Sequence, residues 1–73
     1  MAETLIYIRE AGAPTDRWCP AEGVLVRDDV FRVTRIPEAP ALEFAVGDHV
    51  RCATRGFPDG SEALLAIARV PAP

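Results

Sequence analysis

The segment Val24-Leu25-Val26-Arg27-Asp28-Asp29-Val30-Phe31-Arg32-Val33 constrains the fold of this chain more than any other. Folded about Asp28-Asp29, it sets Val26 opposite Phe31, Val24 opposite Val33 and Leu25 opposite Arg32. Val24, Val26, Phe31 and Val33 then share one face, so side-chain alternation and cross-strand pairing agree. A run with this two-residue period does not suit a helix, and a small β domain follows.

The rest of the chain extends that pattern. Thr4-Leu5-Ile6-Tyr7-Ile8-Arg9 is rich in β-branched and aromatic residues and reads as a first strand. Glu10 to Gly23 contains Gly12, Pro14 and Pro20, and reads as a long loop with Trp18 near its middle. Ile36-Pro37-Glu38-Ala39-Pro40-Ala41 is a connector kept out of helix by its two prolines. Gly47-Asp48 reads as a bend before the strand His49-Val50-Arg51-Cys52-Ala53-Thr54. Phe57-Pro58-Asp59-Gly60 places Pro and Gly as a tight turn requires. Residues 61–70 pair back through that turn as a fifth strand. A Ser61-capped helix is the competing reading, since Ala and Leu are good helix formers, but two turns ending at Pro71 gain little alone.

Seventy-three residues make one domain, 1–73, with a small core worth about 3–5 kcal/mol. A hydrophobic share of 49% is that of a globular chain rather than a disordered one. The expectation is an all-β fold: a five-stranded curved sheet or small closed barrel. An oligonucleotide-binding-type (OB) barrel, or an α+β fold with residues 61–70 helical, are the alternatives.

Phe44-Ala45-Val46-Gly47-Asp48-His49-Val50-Arg51-Cys52 resembles the hydrophobic-x-x-Gly-Asp-x-Val entry found in many SH3-like barrels. The resemblance implies that Gly-Asp makes the bend and that Val50 starts the next buried strand. It also implies that the loop after the first strand borders the usual ligand groove, where Trp18 would stack on a ligand or peptide; the other reading is that Trp18 folds over an open barrel end and completes the small core. Fold and function are separable, so the resemblance names no activity.

Composition narrows the function classes. A net charge of −3 opposes diffuse attraction to nucleic acid or anionic membranes. Lys, Asn and Gln are missing, and alanines number twelve, a bias typical of a GC-rich bacterial genome. The sequence holds no transmembrane span, and Leu5-Ile6-Tyr7-Ile8 is too short and lacks the basic flank of a signal peptide, so a cytoplasmic protein with reduced Cys19 and Cys52 is expected.

Catalytic and metal chemistry find little material. His49, Cys52 and Cys19 are the only soft ligand set, and residues 49 and 52 of one strand point to opposite faces. Asp16, Asp28, Asp29, Asp48 and Asp59 all sit where turn chemistry accounts for them. One His and one Ser allow no nucleophile, base and orienting group. No enzyme, metal or cofactor is expected.

Binding is the remaining class. Arg27, Arg32, Arg51, Arg55 and Arg69 are expected on outward strand faces, as are Leu65 and Ile67, and also Leu25 and Val30. So many outward apolar residues mean either that the barrel closes and partly covers both faces, or that the outer apolar patch is an interface. The expected contact residues are Trp18, Arg51, Arg55, Leu65, Ile67 and Arg69, and the expected occupant is a protein partner or a second copy. The alternative is a single-stranded nucleic acid or phosphate ligand on the arginine face, which the net charge disfavours; outward arginines also serve as ordinary solubilising charge on the solvent side of strands.

Overall fold

The computed structural model describes residues 3–12, 14, 17–37 and 41–71. Five strands account for most of them: β1 (Thr4–Arg9), β2 (Trp18–Arg27), β3 (Val30–Arg35), β4 (His49–Gly56) and β5 (Glu62–Arg69). They neighbour one another in chain order and close into a barrel. Each consecutive pair is antiparallel, so in a ring of five the first and last strands must run the same way. The β1–β5 closure is indeed parallel.

The all-β expectation therefore holds, as does the strand reading of residues 61–70. The helical alternative does not: Ala and Leu propensity loses to the pairing of β5 along β4 from Gly56↔Glu62 to Val50↔Arg69. The unbroken meander order also differs from the Greek-key order of an OB barrel.

Two turns form as their residues require. Gly60 takes φ +91°, its N–H donates to the Phe57 carbonyl at 3.0 Å, and the Phe57 N–H donates to the Ser61 carbonyl at 2.8 Å. The Ser61 hydroxyl and N–H both donate to Asp59 Oδ1, at 2.6 and 2.9 Å, and hold that carboxyl below its ordinary pKa. Gly47 takes φ +95° at the bend before β4, where Asp48 Oδ2 accepts from the Ala45 N–H at 2.9 Å. Val50, three residues on, is fully buried.

The β2–β3 hairpin turns at Asp28-Asp29 as expected, but its register does not follow the symmetric fold. Arg27 pairs with Val30, then Leu25 with Phe31, Val24 with Arg32 and Gly23 with Val33. Val26 is the extra residue of a bulge. A tight two-residue hairpin turn of the commonest type needs positive φ at both central residues. Only Asp28 supplies it, at +46°, and the ladder adjusts one residue away. The slip reverses the assignment of faces on β2. Val26 is exposed and Val24 half-buried, while Ala21 and Gly23 face inward. Val30 is buried and joins no outward apolar face, whereas Leu25, opposite Phe31, is 52% exposed.

The interior is a cluster of Ile6, Ile8, Ala21, Phe31, Val33, Val50, Cys52 and Ala66. Each fully buried Ile or Val contributes about 1.5–3 kcal/mol by leaving water. Gly23 sits where strands approach most closely: a Cβ there would lie 3.2 Å from the Arg32 carbonyl oxygen and 3.2 Å from Ile6 Cδ1. Leu42 and Phe44, from the segment before β4, pack against this cluster. That segment is tied to β1 by Arg9, whose Nε and Nη2 donate to Glu43 Oε2 at 3.1 and 2.8 Å.

Candidate functional site

Alternation decides which side chains of β1 leave the core. Ile6 and Ile8 are fully buried, so Leu5, Tyr7 and Arg9 face outward. Partners across an antiparallel pair share a face, and Arg9 pairs with Trp18 while Tyr7 pairs with Pro20. Trp18 is thus the first residue of β2 rather than a mid-loop residue, and its place on the outer face is fixed by the ladder. The expected long loop is shorter by the length of that pairing, and its Asp16 lies outside the described residues, as do Glu38, Ala39 and Pro40 of the second connector.

On the far side of β1, Leu65 pairs with Tyr7 across the parallel closure and with Ala53 of β4. Ala66, its neighbour, pairs with Cys52 inside the barrel. Leu65 is nonetheless only 7% exposed, and it borders a cleft together with Tyr7, Trp18, Arg55 and Phe57. These five residues enclose a cleft of about 310 Å³ on the outer surface. Three aromatic side chains from separate segments form its walls, and Leu65 is its floor.

The cleft holds one cation. The Arg55 guanidinium carbon lies 5.9 Å from the centre of the Phe57 ring, a cation–π distance. Among the described residues no carboxylate comes within ion-pair reach of Arg55. A second cleft, about 430 Å³, opens on the other side of Tyr7 between the starts of β1 and β5, with Leu5, Glu62 and Ala63 on its rim. Leu5 and Ile67, both more than half exposed, extend the apolar surface beyond the clefts.

The structure thus brings Trp18, Arg55 and Leu65 together, with Ile67 exposed two residues along β5. It sends Arg51 and Arg69 elsewhere. Ile67 is the extra residue of a bulge opposite Arg51/Cys52, which moves Arg69 out of step with Leu65. Arg69 pairs with Val50, donates to Asp48 Oδ2 at 3.0 Å and lies 5.8 Å from the Phe44 ring centre, beside the segment that leads into β4. Arg51 is 3.4 Å from Asp29, and Arg27 is 3.7 Å from Asp28. The expected stripe of five outward arginines is therefore divided by acids supplied from turns.

Tyr7 and Phe57 were absent from the expected contact set. Tyr7 was legible as a residue flanked by two buried isoleucines. Phe57 read only as the start of a turn, with nothing local to show that the turn folds it toward Trp18.

The two thiols lie on the inner side of the ladder. Cys19 pairs with Ile8 and Cys52 with Ala66, and both are free. Burial, helped by the charge of Asp29, pushes the Cys52 thiol up to about 11. A thiol so held is a poor nucleophile at neutral pH. His49 is half-buried at the start of β4 opposite Arg32.

No known family model, curated protein or solved structure matches this chain.

Proposed function

We propose that this protein is a non-catalytic binding module that docks on a protein partner through the outer face of the β1–β5 seam. One observation carries the reading: Tyr7, Trp18 and Phe57, drawn from three separate segments, converge on an outward cleft whose cation, Arg55, meets no carboxylate among the described residues. Aromatic walls around an apolar floor suit an inserted apolar side chain, and buried aromatics are the residues that dominate binding energy at interfaces.

The nucleic-acid reading has less support. A phosphate backbone is held by several free cations in a row. Here Arg27, Arg51 and Arg69 each stand beside an aspartate, and the whole chain carries −3.

A photo-crosslinking amino acid placed at position 67, in the protein produced in its own host, tests the docking face. The expected result is a protein adduct from position 67 and none from position 26, an exposed valine on the β2–β3 hairpin. Equal adducts from both positions, or none from 67, would refute the reading.

A further inference from the structure

The seam beside the aromatic cleft has a geometry that narrows the kind of partner, provided the docking face is right. An odd-numbered meander must close through a parallel pair, and parallel pairing is the weaker kind. Here it consists of the one register pair Tyr7↔Leu65, whereas β1 follows β2 through six pairs from Thr4↔Gly23 to Arg9↔Trp18. On the Thr4 side of Tyr7 no register pair joins the two strands, and residues of both line the 430 Å³ cleft. Along that cleft the facing edges of β1 and β5 have no partner in register among the described residues. An exposed strand edge is a template for another extended chain.

The two clefts meet at Tyr7, which lines both. One occupant can therefore use them together, pairing its backbone in the first and setting side chains into the second. Side chains on one face of an extended segment recur every two residues, about 6.7 Å apart. The Arg55 guanidinium and the Phe57 ring, cation and aromatic wall of the second cleft, are 5.9 Å apart. An acid and an apolar residue separated by one position match that spacing and that charge. At the opposite end Glu62 lines the first cleft and repels a second acid, so the acid has only one end at which to sit.

We infer that the partner is recognised through a short extended segment with an acidic and a large apolar residue two positions apart. The apolar side chain enters the Tyr7–Trp18–Phe57 cleft over Leu65, the carboxylate pairs with Arg55, and the backbone lies along the facing β1–β5 edges. The surface of a folded partner would meet the rims, Leu5 and Ile67, without needing those edges.

Random dodecapeptides displayed on phage and panned against the immobilised full-length protein test this directly. The expected selection is enriched in Asp or Glu two positions from Phe, Trp, Leu or Ile. A synthetic peptide of the selected sequence should shift the fluorescence of Trp18, the only tryptophan. Arg55→Glu, at an exposed position, should weaken that peptide at least tenfold with the fold retained, and Arg55→Lys should restore part of the loss. Selected peptides without the acid, binding indifferent to Arg55→Glu, or occupation of the cleft by a second copy in sedimentation would each overturn the inference. Adducts at position 67 with no selected peptide would leave docking standing and remove the extended segment; failure of both removes both.

Discussion

Leu65 and Ile67 lie two residues apart on β5, and their replacement by Asp separates floor from rim. Leu65 is 7% exposed, enclosed by Tyr7, Trp18 and Phe57 on the outer side of the sheet. Leu65→Asp forfeits most of the about 1.5–3 kcal/mol that a buried leucine contributes. It also places a carboxyl among aromatic rings, which costs a further 1–3 kcal/mol, roughly, with Arg55 the one cation in the cleft. The expected loss is about 3–5 kcal/mol. A chain of this length holds roughly 4–11 kcal/mol in all, so this variant is close to unfolding. Ile67 is 54% exposed and unpaired in its bulge, and Ile67→Asp should cost about 1 kcal/mol or less. Urea unfolding followed by Trp18 fluorescence and far-ultraviolet dichroism measures both. With a slope of about 1 kcal/mol per molar urea, the midpoints should differ by about 2–4 M. Equal midpoints would mean that Leu65 is not covered by the aromatic ring of residues, and the cleft as described would fall with it.

Three further outcomes follow from the fold. The Cys52 thiol, raised from 9.0 to about 11 by burial and by Asp29, keeps its proton in the folded chain where the unfolded chain loses it. Its contribution is therefore complete below pH 9 and is lost as pH rises toward 11, by about 2–3 kcal/mol; urea midpoints across that range should fall in the wild type and fall less in Cys52→Ala. Gly23→Val pushes side-chain atoms into the Arg32 carbonyl and Ile6, and should lower stability by about 2 kcal/mol in the same assay. Asp28→Gly relieves a left-handed residue in the hairpin turn and should raise stability by up to about 1 kcal/mol, less the added backbone freedom of glycine.

Strand existence was legible in this sequence because each strand announces itself locally. Alternation around Ile6 and Ile8, and the Gly47-Asp48 and Pro58-Asp59-Gly60 turns, each act within a few residues. The faces of β2 and β5 were not legible, because each depends on a bulge. Val26 and Ile67 are ordinary strand residues, and nothing next to them marks the extra position. One bulge turned Val24 and Val26 away from the core, and the other moved Arg69 from the expected interface to Asp48. Gly23 carried a hint of irregularity, since glycine inside a strand marks a bulge or a close approach. Its role appears only when Ile6 and Arg32, far apart in sequence, are brought against it. The cleft was half legible for a related reason. Trp18 and Leu65 stood out as apolar residues without a place in the core, whereas Phe57 joins them only through the closure of the barrel.

The central claim is that the face of the β1–β5 seam, and not an arginine stripe, is where this protein binds. A two-dimensional amide spectrum of the labelled protein tests it, recorded first with a selected acid-bearing peptide and then with a twelve-residue oligothymidylate at low salt. The account predicts shifts confined to Tyr7, Trp18, Arg55, Phe57 and their strand neighbours with the peptide, and an unmoved spectrum with the oligonucleotide. Shifts at Arg27, Arg32 and Arg51 on adding the oligonucleotide, weakening steeply with salt, would contradict it.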